Sequence, residues 1–331
     1  MGFDFSVIVL IYQPVKEKLL ATLRSVVMQR ECSFEVIISD DGSENFDETI
    51  VHDFMRACAF SDYRVITHGE NQGTVKNLLD AVVAARGRYI KPISPGDYLY
   101  DATTLRDVLS FMEQQEAKIV FGDMICYTYD GQLRVANSKT PCDDEMYLPD
   151  RRDYNTKKVL KHQMIYADNV SGAAVFYERH SLQTGLETIC GTVIYAEDAV
   201  IQLFALQNIR LYKMPRFLVW YEYGCGISTN PEKGFSSRLR RDFFGFYAML
   251  HNAYKKAPCV KRTYYIWKIM MEAGRTANLL RCCVNVDKQL FLLRRRSILR
   301  KFVCRGYDTT FFHVVCGTAA QRQSGDQERS V

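Results

Sequence analysis

The chain has 331 residues, 47% of them hydrophobic and 24% charged, which suits one large packed domain, alone or with an appendage, and excludes a disordered chain. A net charge of +5 is mild for this length, so nucleic acid is not an expected partner, and no apolar stretch reaches the ~18–20 residues of a membrane span. Eleven cysteines, an odd number without a C-x-x-C pair, fit neither a disulfide scaffold nor a zinc site and predict a reducing, cytoplasmic setting.

Phe5 to Ile11 is an apolar run followed by Tyr12-Gln13-Pro14, the pattern of a buried strand and its exit loop. Val15 to Gln29 carries Leu19, Leu20, Leu23, Val26 and Val27 at helical spacing, so a helix packs back on that strand. Glu35 to Ser39 is the second strand, and it delivers Asp40 and Asp41, then Gly42 and Ser43, to the carboxyl edge of the sheet. Asp47 to Ala59 predicts another helix and Tyr63 to Thr67 a third strand, an order that gives parallel pairing with right-handed crossovers. Open α/β sheets bind ligands at that edge, and two acids on one turn suit a base N–H or a cation opposite them. The plainer reading is a loop whose Asp and Ser cap the next helix.

Glu70-Asn71-Gln72-Gly73-Thr74-Val75-Lys76-Asn77 opens a helix that runs to Ala85, and outward-pointing amides beside a lysine suit an anion there, with plain capping as the simpler role. No G-x-G-x-x-G follows the first strand and no G-x-x-x-x-G-K-[ST] occurs, which argues against dinucleotide and P-loop sites. A fourth strand, Arg88 to Ile93, ends in Ser94-Pro95-Gly96-Asp97. Thr103 to Gln114 is helical, Ala117 to Phe121 a fifth strand, and Met124 to Val135 a hairpin around Asp130-Gly131. Ala136 to Asp153 is polar and irregular, as a substrate-shaping lid would be. Ser171-Gly172 lies in a small-residue stretch that lets a ligand approach the backbone, and Glu197-Asp198 opens an otherwise apolar helix. Trp220 to Ser228, with Trp220 and Tyr221, offers either a sugar platform or a turn beneath the core. From Phe235 the chain turns helical, and residues 281–305 hold eight basic residues and one acid among leucines, a mix that suits an anionic membrane surface or a basic outer face; the last dozen residues are polar.

Taken in order, Ser6-Val7-Ile8-Val9-Leu10-Ile11-Tyr12, Ile38-Ser39-Asp40-Asp41-Gly42-Ser43, Asn71-Gln72-Gly73 with Lys76-Asn77, Gly87-Arg88-Tyr89-Ile90 through Asp97, and Glu197-Asp198 resemble glycosyltransferase family 2 over about residues 5 to 230. The resemblance implies an inverting enzyme of GT-A fold, an α/β architecture with a mostly parallel central sheet flanked by helices. Residues 1–230 would then be the catalytic domain and 231–331 a helical, basic C-terminal extension. It further implies that Tyr12 and Asp40 flank a nucleobase of the uracil type, with Asp41, Lys76 and Asn77 completing the nucleotide-sugar site. Asp198 would be the catalytic base beside Glu197, and Ser171, Gly172, Trp220 and Tyr221 would meet the acceptor. Asp97 is the one acid left where the family has an acidic cluster, so Mg²⁺ or Mn²⁺ would rest on Asp97, the substrate diphosphate and water, the alternative being a site without metal in which Lys76 or backbone amides stabilise the leaving group. The implied partners are a nucleotide diphosphate sugar and a saccharide or lipid-linked saccharide used in bacterial cell-surface polysaccharide synthesis, on the inner face of the plasma membrane. A nucleotidyltransferase and a non-catalytic saccharide- or nucleotide-binding protein are the competing classes.

Overall fold

The computed structural model describes residues 2–225, 235–272 and 286–317. Of the segments singled out above, Gly226 to Ser228, the Arg281 end of the basic stretch and the polar tail from Ala320 lie outside the described residues.

The apolar runs form strands where they were expected. The strands β1 (Phe5–Ile11), β2 (Phe34–Asp40), β3 (Tyr63–Thr67) and β4 (Tyr89–Ile93) are joined in parallel in the order β3-β2-β1-β4. Their crossovers are the helices α1 (Lys16–Val27), α2 (Thr49–Ala57) and α3 (Thr74–Ala84). β1 and β2 are enclosed along almost their whole length, which is why they read as unbroken apolar runs rather than as alternating ones.

Beyond β4 the sheet changes character. β5 is the two-residue strand Tyr98–Leu99, and α4 (Thr104–Gln114) follows it. β6 (Ile119–Tyr129) is one 11-residue strand, so Ala117 to Phe121 and the first arm of the hairpin are a single element, paired with β7 (Leu133–Ala136). β6 bulges between Phe121 and Met124, where Gly122 lies against Leu218. The helices α5 (Thr156–Leu160) and α6 (Arg179–Ile189) flank β8 (Val175–Glu178), which runs antiparallel between β4 and β6. After α7 (Val200–Leu206), β9 (Leu211–Glu222) pairs in parallel with β6 and antiparallel with β5. Six of the nine strands, β1 to β4, β6 and β9, therefore point the same way, and their carboxyl ends share one edge.

Two cores cover the two faces of the sheet. One joins it to α1, α2 and α4, the other to α3, α6 and α7. The C-terminal helices α8 (Phe235–Ala253), α9 (Pro258–Glu272), α10 (Val286–Lys301) and α11 (Thr310–Cys316) are not a detached appendage. Phe246, Tyr247 and Leu250 of α8 and Val260 of α9 are part of the α3-side core, and Phe312 and Val315 of α11 pack with Tyr98, Ile125, Tyr127 and Trp220 in a third cluster.

The segment after β7 is also not a lid. Cys142, Asp143, Asp144, Met146 and Tyr147 are buried. The Asp168 carboxylate accepts the amides of Cys142 and Asp143 at 2.8 and 3.1 Å, and Asp144 forms an ion pair with Lys213. A polar sequence became packed structure because its charges find partners more than twenty residues away.

Candidate active site

The turns that leave β1, β2 and β4 meet the segments that precede β8 and α7. Asp40 ends β2 and is fully buried. Its carboxylate accepts the Ser43 amide at 3.0 Å and the Ser43 hydroxyl at 2.5 Å, and that hydroxyl in turn accepts the Gln13 amide at 2.6 Å. Asp41 accepts the amides of Gln72 and Gly73 at 2.8 and 3.0 Å. The two acids therefore escape mutual repulsion by binding different loops, and both shape the edge rather than present a free oxygen to it. Beside them a cleft of about 410 Å³, lined by Gln13, Pro14, Lys16, Ser43 and Phe46 among others, opens over the ends of β1 and β2, next to the half-exposed Tyr12.

Gly73 caps α3 at φ +89°, and a Cβ there would stand 2.3 Å from the Ile194 side chain, so only glycine permits this approach. Val75 donates its amide to the Ile194 carbonyl at 3.0 Å, which ties the start of α3 to the segment leading into Glu197 and Asp198. Lys76 stands at the rim of the same helix, ion-paired with Asp80. Asn77 corrects an expectation. Its amide is enclosed and spent on Ser39, donating to the carbonyl at 3.1 Å and accepting the hydroxyl, so it braces β2 against α3 and reaches no nucleotide.

Glu197 and Asp198 form a 3₁₀ turn at the entry to α7. The segment before them is clamped from α8, where the buried Asp242 accepts the amides of Tyr195 and Ala196 on one carboxylate oxygen at 2.6 and 3.1 Å. Ser171 and Gly172 precede β8, and because β8 runs against its neighbours they lie at the shared carboxyl edge. A Cβ on Gly172 would come within 3.0 Å of the Asp198 Cβ. Both residues of the pair are half-buried, and burial pushes both carboxyls upward. The charges of Asp198 and Asp242 push Glu197 further, so the pair holds on to a proton more tightly than two exposed carboxyls would. Behind Asp198 lies a small cavity of about 20 Å³, lined by Gln163, Asn169 and Gln202 together with Val170, Ile201 and Phe243.

Asp97 ends the turn after β4. Thr22 of α1 fixes that turn, accepting the Gly96 amide at 3.1 Å and donating to the Asp97 carbonyl at 2.9 Å. The Asp97 carboxylate accepts the Glu222 amide at 3.0 Å, and the Glu222 carboxylate holds the Lys18 ammonium at 2.7 and 2.6 Å. Lys91, wholly buried in β4, donates to the Ala173 carbonyl at 2.5 Å and lies 4.9 Å from the centre of the Phe176 ring. Burial pulls Lys91 down to about 7 and pushes Asp97 up to about 7, and each one's charge partly offsets the other's shift.

This donor set does not fit a divalent metal. Among the described residues no three of His, Cys, Asp and Glu converge. Asp97 with Lys91 is electrically neutral whether the proton sits on one or the other, and Glu222 with Lys18 is neutral as an ion pair, so no net negative charge awaits a dication. The expectation of Asp97 as a metal ligand is replaced by a carboxylate enclosed between two lysines.

Trp220 is a third correction. It is fully buried, 4.8 Å from the ring centre of Phe312 and stacked near Tyr100, so it supports β9 and cannot meet an acceptor. Tyr221, the next residue along the strand, is half-buried on the opposite face. Sequence reasoning passed over Lys91, Lys18 and Asp242. Only Lys91 left a signal, as a lone charge inside the apolar run Tyr89-Ile90-Lys91-Pro92-Ile93.

The profile of the family described as "Glycosyl transferase family 2" matches residues 6–182, more than half of the chain. No curated protein matches the chain. Solved structures with a similar fold include S. aureus TarS 1-349 in complex with UDP-GlcNAc, at 17% identity and a TM-score of 0.55 over 91% of this chain and 82% of that one. The same TarS piece in complex with UDP gives 17% and 0.53 over 91% and 81%. The mannosyltransferase PcManGT from Pyrobaculum calidifontis, in complex with GDP-Man and Mn²⁺, gives 12% and 0.54 over 91% and 79%. At these identities the likeness shows the fold, which is of the GT-A type.

Proposed function

The chain belongs to glycosyl transferase family 2 and is a glycosyltransferase, and on that premise we propose that it moves a sugar from a nucleoside diphosphate sugar to a hydroxyl of a saccharide or lipid-linked saccharide. The observation that carries this reading is the seating of Asp198. It is held at the sheet's carboxyl edge against Gly172, beside a second carboxyl, and burial raises the proton affinity of both. A carboxylate whose proton affinity is raised toward the working pH is a better general base than an exposed one.

In the proposed reaction the acceptor oxygen attacks the anomeric carbon as its proton passes to Asp198. The bond from that carbon to the diphosphate oxygen breaks, and the nucleoside diphosphate leaves with the electron pair. Tyr12 and the turn held by Asp40 flank the nucleobase, the turn Asp41 ties down forms the floor, and Lys76 guards the rim. Ser171, Gly172 and Tyr221 border the acceptor. UDP as the nucleotide is supported by the complexes of TarS, and GDP by that of PcManGT.

Residues 1–230 carry this chemistry in our reading and 231–331 brace it. No helix among the described residues is long and apolar enough to cross a membrane. The exposed Val286, Leu290 and Leu293 of α10, interleaved with Arg294, Arg296 and Lys301, suit a peripheral visit to an anionic bilayer, where a lipid-linked acceptor for cell-surface polysaccharide would be met.

A thermal-shift screen across nucleotide sugars identifies the donor, since a ligand stabilises the folded state according to its affinity. With that donor, Asp198→Asn should keep the thermal shift and lose about 10²- to 10⁴-fold in transfer rate. A variant with a normal rate removes Asp198 as the base.

A further inference from the structure

We propose that the cation which meets the donor diphosphate is Lys18 of the chain itself, so that donor binding and transfer need no divalent metal. This rests on the glycosyltransferase reading above.

The argument begins with what replaced the acids. Ser94-Pro95-Gly96 leaves Asp97 as the one carboxylate of its turn, and the nearby acid, Glu222, is already ion-paired with Lys18 while Lys91 lies on the other side. Lys18 lies in the first turn of α1, the helix that follows Tyr12 and the β1 exit loop, and α1 is also the helix whose Thr22 fastens the Asp97 turn. Its ammonium is held on Glu222, whose amide binds Asp97, so it sits beside the Asp97 turn, where the diphosphate is placed in this reading. About a third of the Lys18 side chain is open to solvent, whereas Lys91 is sealed beneath the site.

The ammonium carries three protons. Two reach the Glu222 oxygens, and among the described residues the third faces the Cys225 sulfur at 3.4 Å, a weak acceptor. A diphosphate oxygen is a far better partner for that third proton, and the charge-assisted bond it forms strengthens as negative charge grows on the leaving group. A divalent ion placed at Asp97 and Glu222 would have to evict Lys18 from both oxygens of Glu222. Lys91 plays a different part, offsetting the charge of Asp97 from below and holding the Ala173 carbonyl, and so positions the Gly172 segment against Asp198.

Calorimetry with UDP and GDP as probes tests this, in EDTA and in Mn²⁺, on the wild type, Lys18→Met and Glu222→Gln. The expected result is wild-type affinity equal within about twofold in EDTA and Mn²⁺, and roughly tenfold weaker binding by Lys18→Met. Glu222→Gln is the sharper variant, because the two accounts give it opposite signs. It frees the Lys18 charge and should tighten binding several-fold in EDTA, whereas loss of a carboxylate from a metal site would weaken Mn²⁺-supported binding. Binding that requires Mn²⁺, a Lys18→Met variant that binds like the wild type, or weaker binding by Glu222→Gln overturns the proposal. If neither nucleotide binds in any condition, the donor reading itself has failed, a result distinct from binding that depends on metal.

Discussion

The clamp that α8 places on the catalytic segment gives a prediction in which charge and position separate. Asp242 accepts the Tyr195 and Ala196 amides on a single oxygen, Oδ2. Asp242→Asn can turn its own amide oxygen to that place and keep both bonds, while Asp242→Ala leaves two enclosed N–H groups without an acceptor. An unmet buried donor costs about 1–3 kcal/mol, so Asp242→Ala should lose about 2–4 kcal/mol of stability, with part of the second loss recovered by water. Its freed segment carries Asp198, and a shift of about 1 Å there should lower turnover on the order of 10²-fold. Asp242→Asn should unfold nearly with the wild type yet titrate differently. The charge of Asp242 raises the proton affinity of Glu197, so its removal lets Glu197 ionise at lower pH and lessens the stability lost as pH rises. The assays are denaturant unfolding and release of nucleoside diphosphate from the donor between pH 5 and 9. Equal stability of Asp242→Ala and the wild type, or a pH dependence of stability that Asp242→Asn leaves unchanged, would refute the reasoning.

Gly172→Ala should press its new methyl on Asp198 and lower kcat several-fold with little change in donor affinity, and an unchanged kcat would show that the base does not depend on this contact. Glu197 keeps its proton in the folded state to higher pH than the unfolded value of 4.5, so the stability it lends is complete below that value and drains away as pH rises through the neutral range. Glu197→Gln should therefore show a smaller drop in melting temperature from pH 5 to 9 than the wild type, and parallel curves would count against the raised carboxyl. Trp220→Phe should cost about 1–2 kcal/mol through lost packing while leaving the acceptor KM unchanged. A large rise in KM at an unchanged melting temperature would return Trp220 to the acceptor site.

The strands and their exit loops were legible because each is a local pattern: an apolar run closed by a turn, repeated at the spacing of a parallel crossover. Tyr63 to Thr67 emerged with its predicted bounds, and Glu197 with Asp198 emerged at the entry to a helix. What stayed hidden depends on residues far apart in the chain. Trp220 looked like a platform until Phe312, ninety-two positions later, covered it. The polar stretch after β7 looked loose because Asp168 and Lys213, which hold it, belong to other elements. Asp242 is one acid on a helix of unremarkable sequence, and only the fold turns it toward the amides it holds. Asn77 was misread for the same reason: a polar side chain at a helix start signals a ligand or a brace equally well until its neighbour is known.

The place of β5 in the sheet bears on how the molecule is made. Tyr98 and Leu99 pair with Trp220 and Val219, so this strand waits through more than a hundred residues of synthesis for its partner, while β1 to β4 pair within the first ninety-three. Pairing over such separations is slow because a long loop must close first. A ribosome that has just released β4 thus carries a nascent half-sheet with Asp40 and Asp41 already set, and the other half, with the aromatic patch that α11 seals, condenses only as the C-terminus emerges.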